Sequence, residues 1–168
     1  VDETARPEES PRELVQRLSL AKSQAVAASS PGALVIGSDQ LAVCDGRVLG
    51  KPGTEENAVA QLQSLAGREV NFLTGLALTN SATGAHQLSL TVTPVSFRAL
   101  TQAQIVDYVR REQPLDCAGA FKSEGLGIAL FSRIGGDDPS ALIGLPLISL
   151  CSMLAAEGFE VLGGHSGV

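Results

Sequence analysis

Two long runs of strand-forming residues, separated by a short turn, constrain the fold of this chain more than any other feature. Residues 70–79 and 88–97 are rich in valine, leucine, threonine and phenylalanine, and Asn80-Ser81-Ala82-Thr83-Gly84 lies between them. β-Branched and aromatic residues favour strands, and a short loop that contains glycine joins two strands into a hairpin. The pattern predicts an antiparallel hairpin and disfavours an all-helical fold.

Helix signals on both sides of this hairpin indicate the α/β class. Ser10 and Glu13 form a capping box before a helix predicted at about 11–29, and Thr54 caps a second helix predicted at 55–66. The alternation of strands and helices predicts one domain over residues 1–168, with a mixed, twisted sheet flanked by helices. The other predicted elements are a strand at 33–37, a hairpin at 41–49 around Asp45-Gly46, a helix from Thr101 to about Arg111, a strand at 128–134 and a helix at 140–156.

Charge and composition exclude several classes of partner. The 168 residues carry a formal net charge of −6, whereas a protein that holds a nucleic-acid polymer by neutralising its phosphates needs an excess of lysine and arginine. No apolar run approaches the roughly 20 residues of a membrane span, and no signal peptide is recognisable. The cysteines, Cys44, Cys117 and Cys151, form no CxxC pair. We therefore predict a soluble, cytoplasmic protein without a nucleic-acid or membrane partner.

Three charged residues stand out by their positions. Asp39 follows the predicted strand at 33–37, and ligands of α/β sheets gather where strands end, although a turn aspartate is the alternative. Lys22 extends the apolar stripe of the first helix, either as a phosphate ligand or as a lysine whose stem covers apolar surface. Lys51 lies in the rigid frame Gly50-Lys51-Pro52, which suits a phosphate ligand, while a solvated loop lysine is the alternative.

Two further segments contain candidate ligands. Glu3, beside Asp2, offers a carboxylate to a magnesium ion, although acidic pairs near a chain start are usually solvated. Residues 120–127 combine an aromatic side chain with Lys122, Glu124 and glycines, a composition that suits a flat ligand and also occurs in many surface loops. Taken alone, these residues predict only an α/β domain with an anion-binding pocket.

A series of short motifs runs in order along most of the chain. They are Val1-Asp2-Glu3-Thr4, Glu9-Ser10-Pro11, Leu14-Val15-Gln16-Arg17-Leu18, Ala21-Lys22-Ser23-Gln24-Ala25, Gly37-Ser38-Asp39-Gln40, Gly50-Lys51-Pro52, Thr74-Gly75, Gly119 and Gly144-Leu145-Pro146. In order and spacing this series resembles the Maf family of nucleotide pyrophosphatases. The resemblance implies a Maf or inosine triphosphatase-like fold and a hydrolase that cleaves a nucleoside triphosphate to its monophosphate and pyrophosphate.

The resemblance also implies roles at the phosphates. It makes Asp39 the catalytic proton acceptor, and it makes Lys22 and Lys51 phosphate ligands. Glu3 and Asp39 become the partners of a divalent metal cation, which we expect to be Mg²⁺. Hydrolysis at the α-phosphorus needs an activated water and neutralised triphosphate charge, so these roles are physically coherent.

Within the family, two positions indicate the substrate. Gln40 and the segment Phe121-Lys122-Ser123-Glu124-Gly125 are similar to the branch that acts on 7-methyl-GTP. The branch that acts on dTTP and UTP has threonine and glutamine in place of Gln40 and Glu124. The resemblance therefore implies that these two residues determine base choice and that Lys122 binds substrate. Methylation at N7 makes guanine cationic, and the carboxylate of Glu124 would attract that charge.

Two other functions stay open at this point. One is a pyrophosphatase for dTTP, UTP or another modified nucleotide, and the other is a non-catalytic nucleotide-binding regulator of cell division. A small-molecule nucleotide is the expected partner in each case, and a homodimer is a further candidate assembly. Family members begin with a strand and a basic segment, whereas this chain opens at Val1 without an initiator methionine. We therefore expect that its N-terminal strand and helix are missing.

Overall fold

The computed structural model describes residues 1–163. Helices α1 to α4 span Pro11–Ala27, Glu55–Leu65, Gln102–Glu112 and Leu147–Ala156, and strands β1 to β5 span Leu34–Cys44, Arg47–Leu49, Glu69–Asn80, His86–Phe97 and Phe131–Ile134. Short 3₁₀ helices lie at Ala118–Ala120, Leu126–Leu130 and Ala141–Ile143. None of the described helices is long and apolar enough to cross a membrane. The predicted α/β class is confirmed.

The helix starts follow the capping residues. Ser10 accepts a hydrogen bond from the Glu13 backbone, while the Glu13 carboxylate accepts one from Ser10 N at 2.9 Å, so α1 begins with the predicted capping box. The Thr54 side chain accepts from Asn57 N at the start of α2. Side-chain oxygens in these positions satisfy amide groups that the first helical turn leaves without a partner.

The strands form one sheet in the order β2-β1-β3-β4-β5, which is antiparallel, whereas the sequence predicts a mixed sheet. The hairpin between β1 and β2 turns at Asp45 and Gly46, whose φ angles of 49° and 76° both lie in the left-handed region. A type I′ turn requires positive φ at both of its central residues, so the hairpin predicted from Asp45-Gly46 is confirmed. In this hairpin Cys44 pairs with Arg47.

Three predicted elements differ from the structure. The strand predicted at 33–37 is the first part of β1, which continues to Cys44. The strand predicted at 128–134 starts only at Phe131, because residues 126–130 form a 3₁₀ helix. The helix predicted at 140–156 begins at Leu147, because Gly144 has a φ of 121° and Pro146 follows it.

The chain divides into two compact units. Among the described residues, unit 1 comprises Val1–Gln40, Thr74–Thr91 and residues 138–163, and unit 2 comprises Leu41–Leu73 and Val92–Asp137. In unit 1 the core includes Leu76, Leu78, Leu150 and Met153. The assignment of residues 1–168 to one domain stays a prediction.

Unit 2 has an aromatic core. Phe121 contacts Phe72, Phe97 and Phe131 edge to face, with ring centroids 5.0, 6.1 and 4.9 Å apart. All four rings are almost fully buried. Edge-to-face pairs add to the free energy gained from burying apolar area, so Phe121 anchors the start of the 121–127 segment in the core.

Candidate active site

Two glycines in unit 1 let helix α1 lie directly on the sheet. A Cβ atom at Gly37 of β1 would overlap the backbone of Ser19 and Ser23, and one at Gly75 of β3 would lie 2.7 Å from the carbonyl oxygen of Val15. Any side chain at either position would therefore push the helix away. This close approach brings the next turn of α1 alongside the middle of β1.

At this point Lys22 of α1 meets Asp39 of β1. The Lys22 Nζ atom lies 2.6 Å from Asp39 Oδ1 and 2.8 Å from Glu3 Oε1. The side chain of Asp39 is 13% exposed, compared with 62% for Glu3. Burial lowers the pKa of the Lys22 ammonium, but its hydrogen bonds to Asp39 and Glu3 outweigh this and raise the pKa above the ordinary value. Lys22 therefore stays cationic between two carboxylates.

A second ion pair holds the segment that contributes Glu3. Arg17 of α1 donates to both oxygens of Glu9, at 2.6 and 2.9 Å, and to the carbonyl of Thr4 at 3.0 Å. The pairing is bidentate, the geometry in which arginine binds a carboxylate most strongly. The hydrogen bond from Arg17 is the main reason that the pKa of Glu9 falls to about 2. This clamp ties residues 4–9 back to α1, next to Glu3.

The polar neighbours of Asp39, Ser38 and Gln40, form hydrogen bonds with other segments of unit 1. Ser38 Oγ lies 2.8 and 2.7 Å from the carbonyl oxygens of Gly75 and Gly144. The amide nitrogen of Gln40 donates to Thr74 Oγ1 and to Ala141 O, both at 2.9 Å. These bonds satisfy the polar side chains on both sides of Asp39, which is why β1 continues through them.

The position expected for Asp39 therefore needs a correction. Asp39 lies inside β1 and not just past the end of a strand. The amide nitrogen of Gln40 is used within unit 1, and the role of Gln40 in base choice stays a prediction. The structure brings together Lys22, Asp39 and Glu3.

A buried carboxylate orders the segment that contacts Gln40. Asp138, 5% exposed, accepts hydrogen bonds from Ser140 N at 2.9 Å and from Ile148 N, in the first turn of α4, at 2.8 Å. Burial raises the pKa of Asp138, but the hydrogen bonds from Ser140 and Ile148 outweigh it and hold the pKa below its usual value. Asp138 thus caps the N-terminus of α4, although it does not directly precede this helix in the sequence.

Three predicted site residues, Lys51, Lys122 and Glu124, belong to unit 2, and their charges act on the Cys117 thiol. Burial raises the pKa of the Cys117 thiol, and the charges of Lys122, Glu124, Asp116 and Lys51 all act on it. Lys51 and Glu124 are exposed, and Lys122 is half-buried. Unit 2 therefore carries two lysines and two carboxylates whose charges all act on Cys117, and such a mixture can bind both anionic and cationic groups of a ligand.

Unit 2 also contains a cavity of about 230 Å³. Its walls include Leu100, Tyr108, Arg111 and Leu126, and none of the predicted site residues lines it. Sequence patterns alone gave no indication of this cavity.

Glu3 and Asp39 of unit 1 carry carboxylate oxygens, the type of ligand that a hard divalent cation prefers. Within residues 1–163, no group of three or more His, Cys, Asp or Glu side chains is arranged to hold a metal ion. Glu3 and Asp39 nevertheless converge on one cation, the Lys22 ammonium. Mg²⁺ is commonly held by one or two carboxylates, while water and substrate phosphates supply its other ligands.

Sequence reasoning missed the clamp between Arg17 and Glu9. Both residues belong to the motif series, but Glu9 precedes the helix start, so helical spacing does not pair them. The available signal was the position of Glu9 in the motif Glu9-Ser10-Pro11 and of Arg17 in the motif Leu14-Val15-Gln16-Arg17-Leu18. Their pairing depends on how residues 1–9 fold back along α1.

Comparisons with known proteins cover the elements that carry these residues. The model of the Maf-like protein family matches residues 1–157. A protein of Albidiferax ferrireducens, named 7-methyl-GTP pyrophosphatase, is 52% identical over 163 residues, which make up 97% of this chain and 82% of that relative. The matched region therefore includes α1, β1 and the 121–127 segment.

Proposed function

We propose that this chain, which belongs to the Maf-like protein family, hydrolyses 7-methyl-GTP to 7-methyl-GMP and pyrophosphate. The observation that carries the proposal is the position of Lys22 between Asp39 and Glu3. This arrangement combines a carboxylate base with a cation suited to phosphate oxygens. The name of the Albidiferax relative supports the choice of substrate.

In the proposed reaction, Asp39 is the proton acceptor. A water oxygen attacks the α-phosphorus, its proton passes to Asp39, and the bond between the α-phosphorus and the oxygen bridging to the β-phosphorus breaks. Pyrophosphate leaves with the electrons of that bond. Asp39 suits this role because it is mostly buried and its neighbour Lys22 holds its side chain in one orientation.

Lys22 and Lys51 are the proposed phosphate ligands. The Lys22 ammonium is already bound to carboxylates, so a triphosphate oxygen can take the place of the exposed Glu3 in its coordination. A cation placed on the leaving pyrophosphate stabilises negative charge that grows in the transition state. Glu3 and Asp39 would hold a divalent cation, for which we propose Mg²⁺, and this ion would neutralise triphosphate charge when bound.

For base choice we propose Glu124, together with Lys122 and Gln40. N7-methylguanine carries a positive charge that ordinary guanine lacks, so a carboxylate discriminates between them by charge as well as by hydrogen bonding. Glu124 is exposed, and its carboxylate accepts a hydrogen bond from Ser123 Oγ at 2.9 Å. Glutamine at position 124 would keep the hydrogen-bonding capacity and lose the charge.

The test is pyrophosphate release from 7-methyl-GTP, GTP, dTTP and UTP in the presence of Mg²⁺. We expect preferential turnover of 7-methyl-GTP, and Asp39→Asn should reduce its kcat by about 10²–10⁴-fold, the usual contribution of a positioned base. Asp45→Asn is the matched control, because Asp45 is exposed in the β1–β2 hairpin, away from Lys22 and Glu3 in sequence, and forms an ion pair with Arg68.

Other outcomes of this assay point to the alternatives. Preference for dTTP or UTP would retain the enzyme class and reject the substrate. Nucleotide binding without pyrophosphate release, measured by calorimetry, would favour the non-catalytic regulator and reject the enzyme. A cytoplasmic location and a homodimer stay predictions.

A further inference from the structure

We propose that Glu112 and Tyr108 of α3 are positioning residues that hold the selectivity loop, defined as residues 121–127, so that Glu124 and Lys122 keep the orientation needed to recognise the base. The inference rests on the proposed function and deepens it. Neither α3 residue belongs to the motif series. Both act through contacts inside unit 2.

Glu112 binds the C-terminal half of the selectivity loop. Its Oε2 atom accepts a hydrogen bond from Leu126 N at 2.8 Å. The carboxylate also lies flat against Gly125, where a Cβ atom would be 2.5 Å from Glu112 Oε1. A hydrogen bond from a backbone amide to a carboxylate is stronger than one between neutral groups. Gly125 therefore allows the loop to approach Glu112 closely enough to form it.

The N-terminal half of the loop is held by the same helix. Lys122 N donates to the hydroxyl of Tyr108 at 3.1 Å, and Lys122 Nζ donates to the carbonyl of Glu112 at 3.3 Å. Tyr108 is 5% exposed, so its hydroxyl is fixed by the packing of α3. Two adjacent turns of one helix thus bind both sides of the loop.

The loop also closes on itself. Gly125 N donates to the carbonyl of Lys122 at 3.3 Å, and a Cβ atom at Gly127 would overlap the Lys122 backbone. Ser123 and Glu124 form the apex between the two bound halves, and Glu124 is exposed there. An exposed carboxylate has many rotamers, and a loop that is not anchored has many conformations. Anchoring the backbone before binding therefore reduces the conformational entropy that the loop loses when a ligand binds.

The test compares Glu112→Ala with Glu112→Gln. We expect Glu112→Ala to lower the ratio of kcat/KM for 7-methyl-GTP to that for GTP by about tenfold, the scale of one charge-assisted hydrogen bond, mainly through a higher KM for 7-methyl-GTP. Glu112→Gln should retain most of the ratio, because its amide oxygen can still accept from Leu126 N. Asp107→Asn is the control on the same helix, since Asp107 forms its ion pairs with Arg110 and Arg111 of α3 itself.

A second measurement does not depend on catalysis. Hydrogen–deuterium exchange of the peptide covering residues 121–127 in the free protein should become faster in Glu112→Ala and stay slow in Asp107→Asn. An unchanged selectivity ratio in an active Glu112→Ala enzyme, or unchanged exchange, would overturn the proposal. If the wild-type protein releases pyrophosphate from neither nucleotide, the proposed function fails, and the exchange rates alone decide whether α3 holds the loop.

Discussion

Replacing Gly37 by alanine tests whether close packing of α1 on β1 positions Lys22 against Asp39. The added methyl group would overlap the backbone of Ser19 and Ser23, which cannot rotate away as a side chain could. Inserting one methyl group into such a contact typically costs about 1–3 kcal/mol in the free energy of unfolding. Each 1 kcal/mol lowers the Tm of a domain of this size by about 2–4 °C. We therefore expect a Tm decrease of about 2–12 °C.

The sign of the change in the free energy of unfolding distinguishes a packing effect from an effect on backbone entropy. Gly50→Ala is the matched control, because a Cβ atom at Gly50 meets nothing within 4 Å. An alanine that fits its site restricts the unfolded chain, so we expect Gly50→Ala to be neutral or to stabilise the protein by up to about 1 kcal/mol.

The assays are urea unfolding followed by circular dichroism and, for the folded fraction of each variant, pyrophosphate release. Displacement of α1 should lengthen the 2.6 Å contact between Lys22 and Asp39 and lower kcat. If Gly37→Ala proves as stable as Gly50→Ala, α1 does not depend on this contact, and the explanation given for the position of Lys22 is wrong.

Two predictions concern other parts of unit 1. Asp138→Ala should lower the free energy of unfolding by about 1–3 kcal/mol in urea titrations, because it removes the acceptor of two backbone amides, whereas Ala in place of the exposed Asp137 should have little effect. Glu9 has a pKa of about 2 in the folded protein, below its ordinary value of 4.5, because of Arg17. Its stabilising effect should be complete above pH 4.5 and lost as the pH falls towards 2. Glu9→Gln should make thermal unfolding less dependent on pH in this window, and an equal dependence in both proteins would contradict the role of the clamp.

Local interactions determined the elements that could be predicted from the sequence. The capping boxes at Ser10 and Thr101 and the turn at Asp45 involve residues within three positions of one another, so the sequence displays both partners together. The order of the residues also indicates where polar chemistry lies, since Lys22 and Asp39 both stand out by their positions in the sequence. Their opposite charges and motif positions were visible in the sequence, but their contact was not.

Long-range contacts explain where sequence reasoning was wrong or silent. The polar residues around Asp39 suggested a strand end, yet β1 continues because Ser38 and Gln40 bond to segments more than thirty residues away. The positioning of the selectivity loop by Glu112 likewise depends on a backbone amide from a different element. A hydrogen bond of this kind leaves no periodic pattern in the sequence, because one of its partners is a backbone amide, which almost every residue has.

The sequence by itself determined the α/β class, the helix starts, the hairpin turn and the identity of the charged residues that resemble a nucleotide site. Tertiary structure alone decided that Gly37 and Gly75 bring α1 onto the sheet, that Arg17 ties the N-terminal segment to α1, and that Lys22 lies between Asp39 and Glu3. The physical reason is range: caps and turns act within a few residues, whereas the site depends on distances that exist only after distant segments have packed.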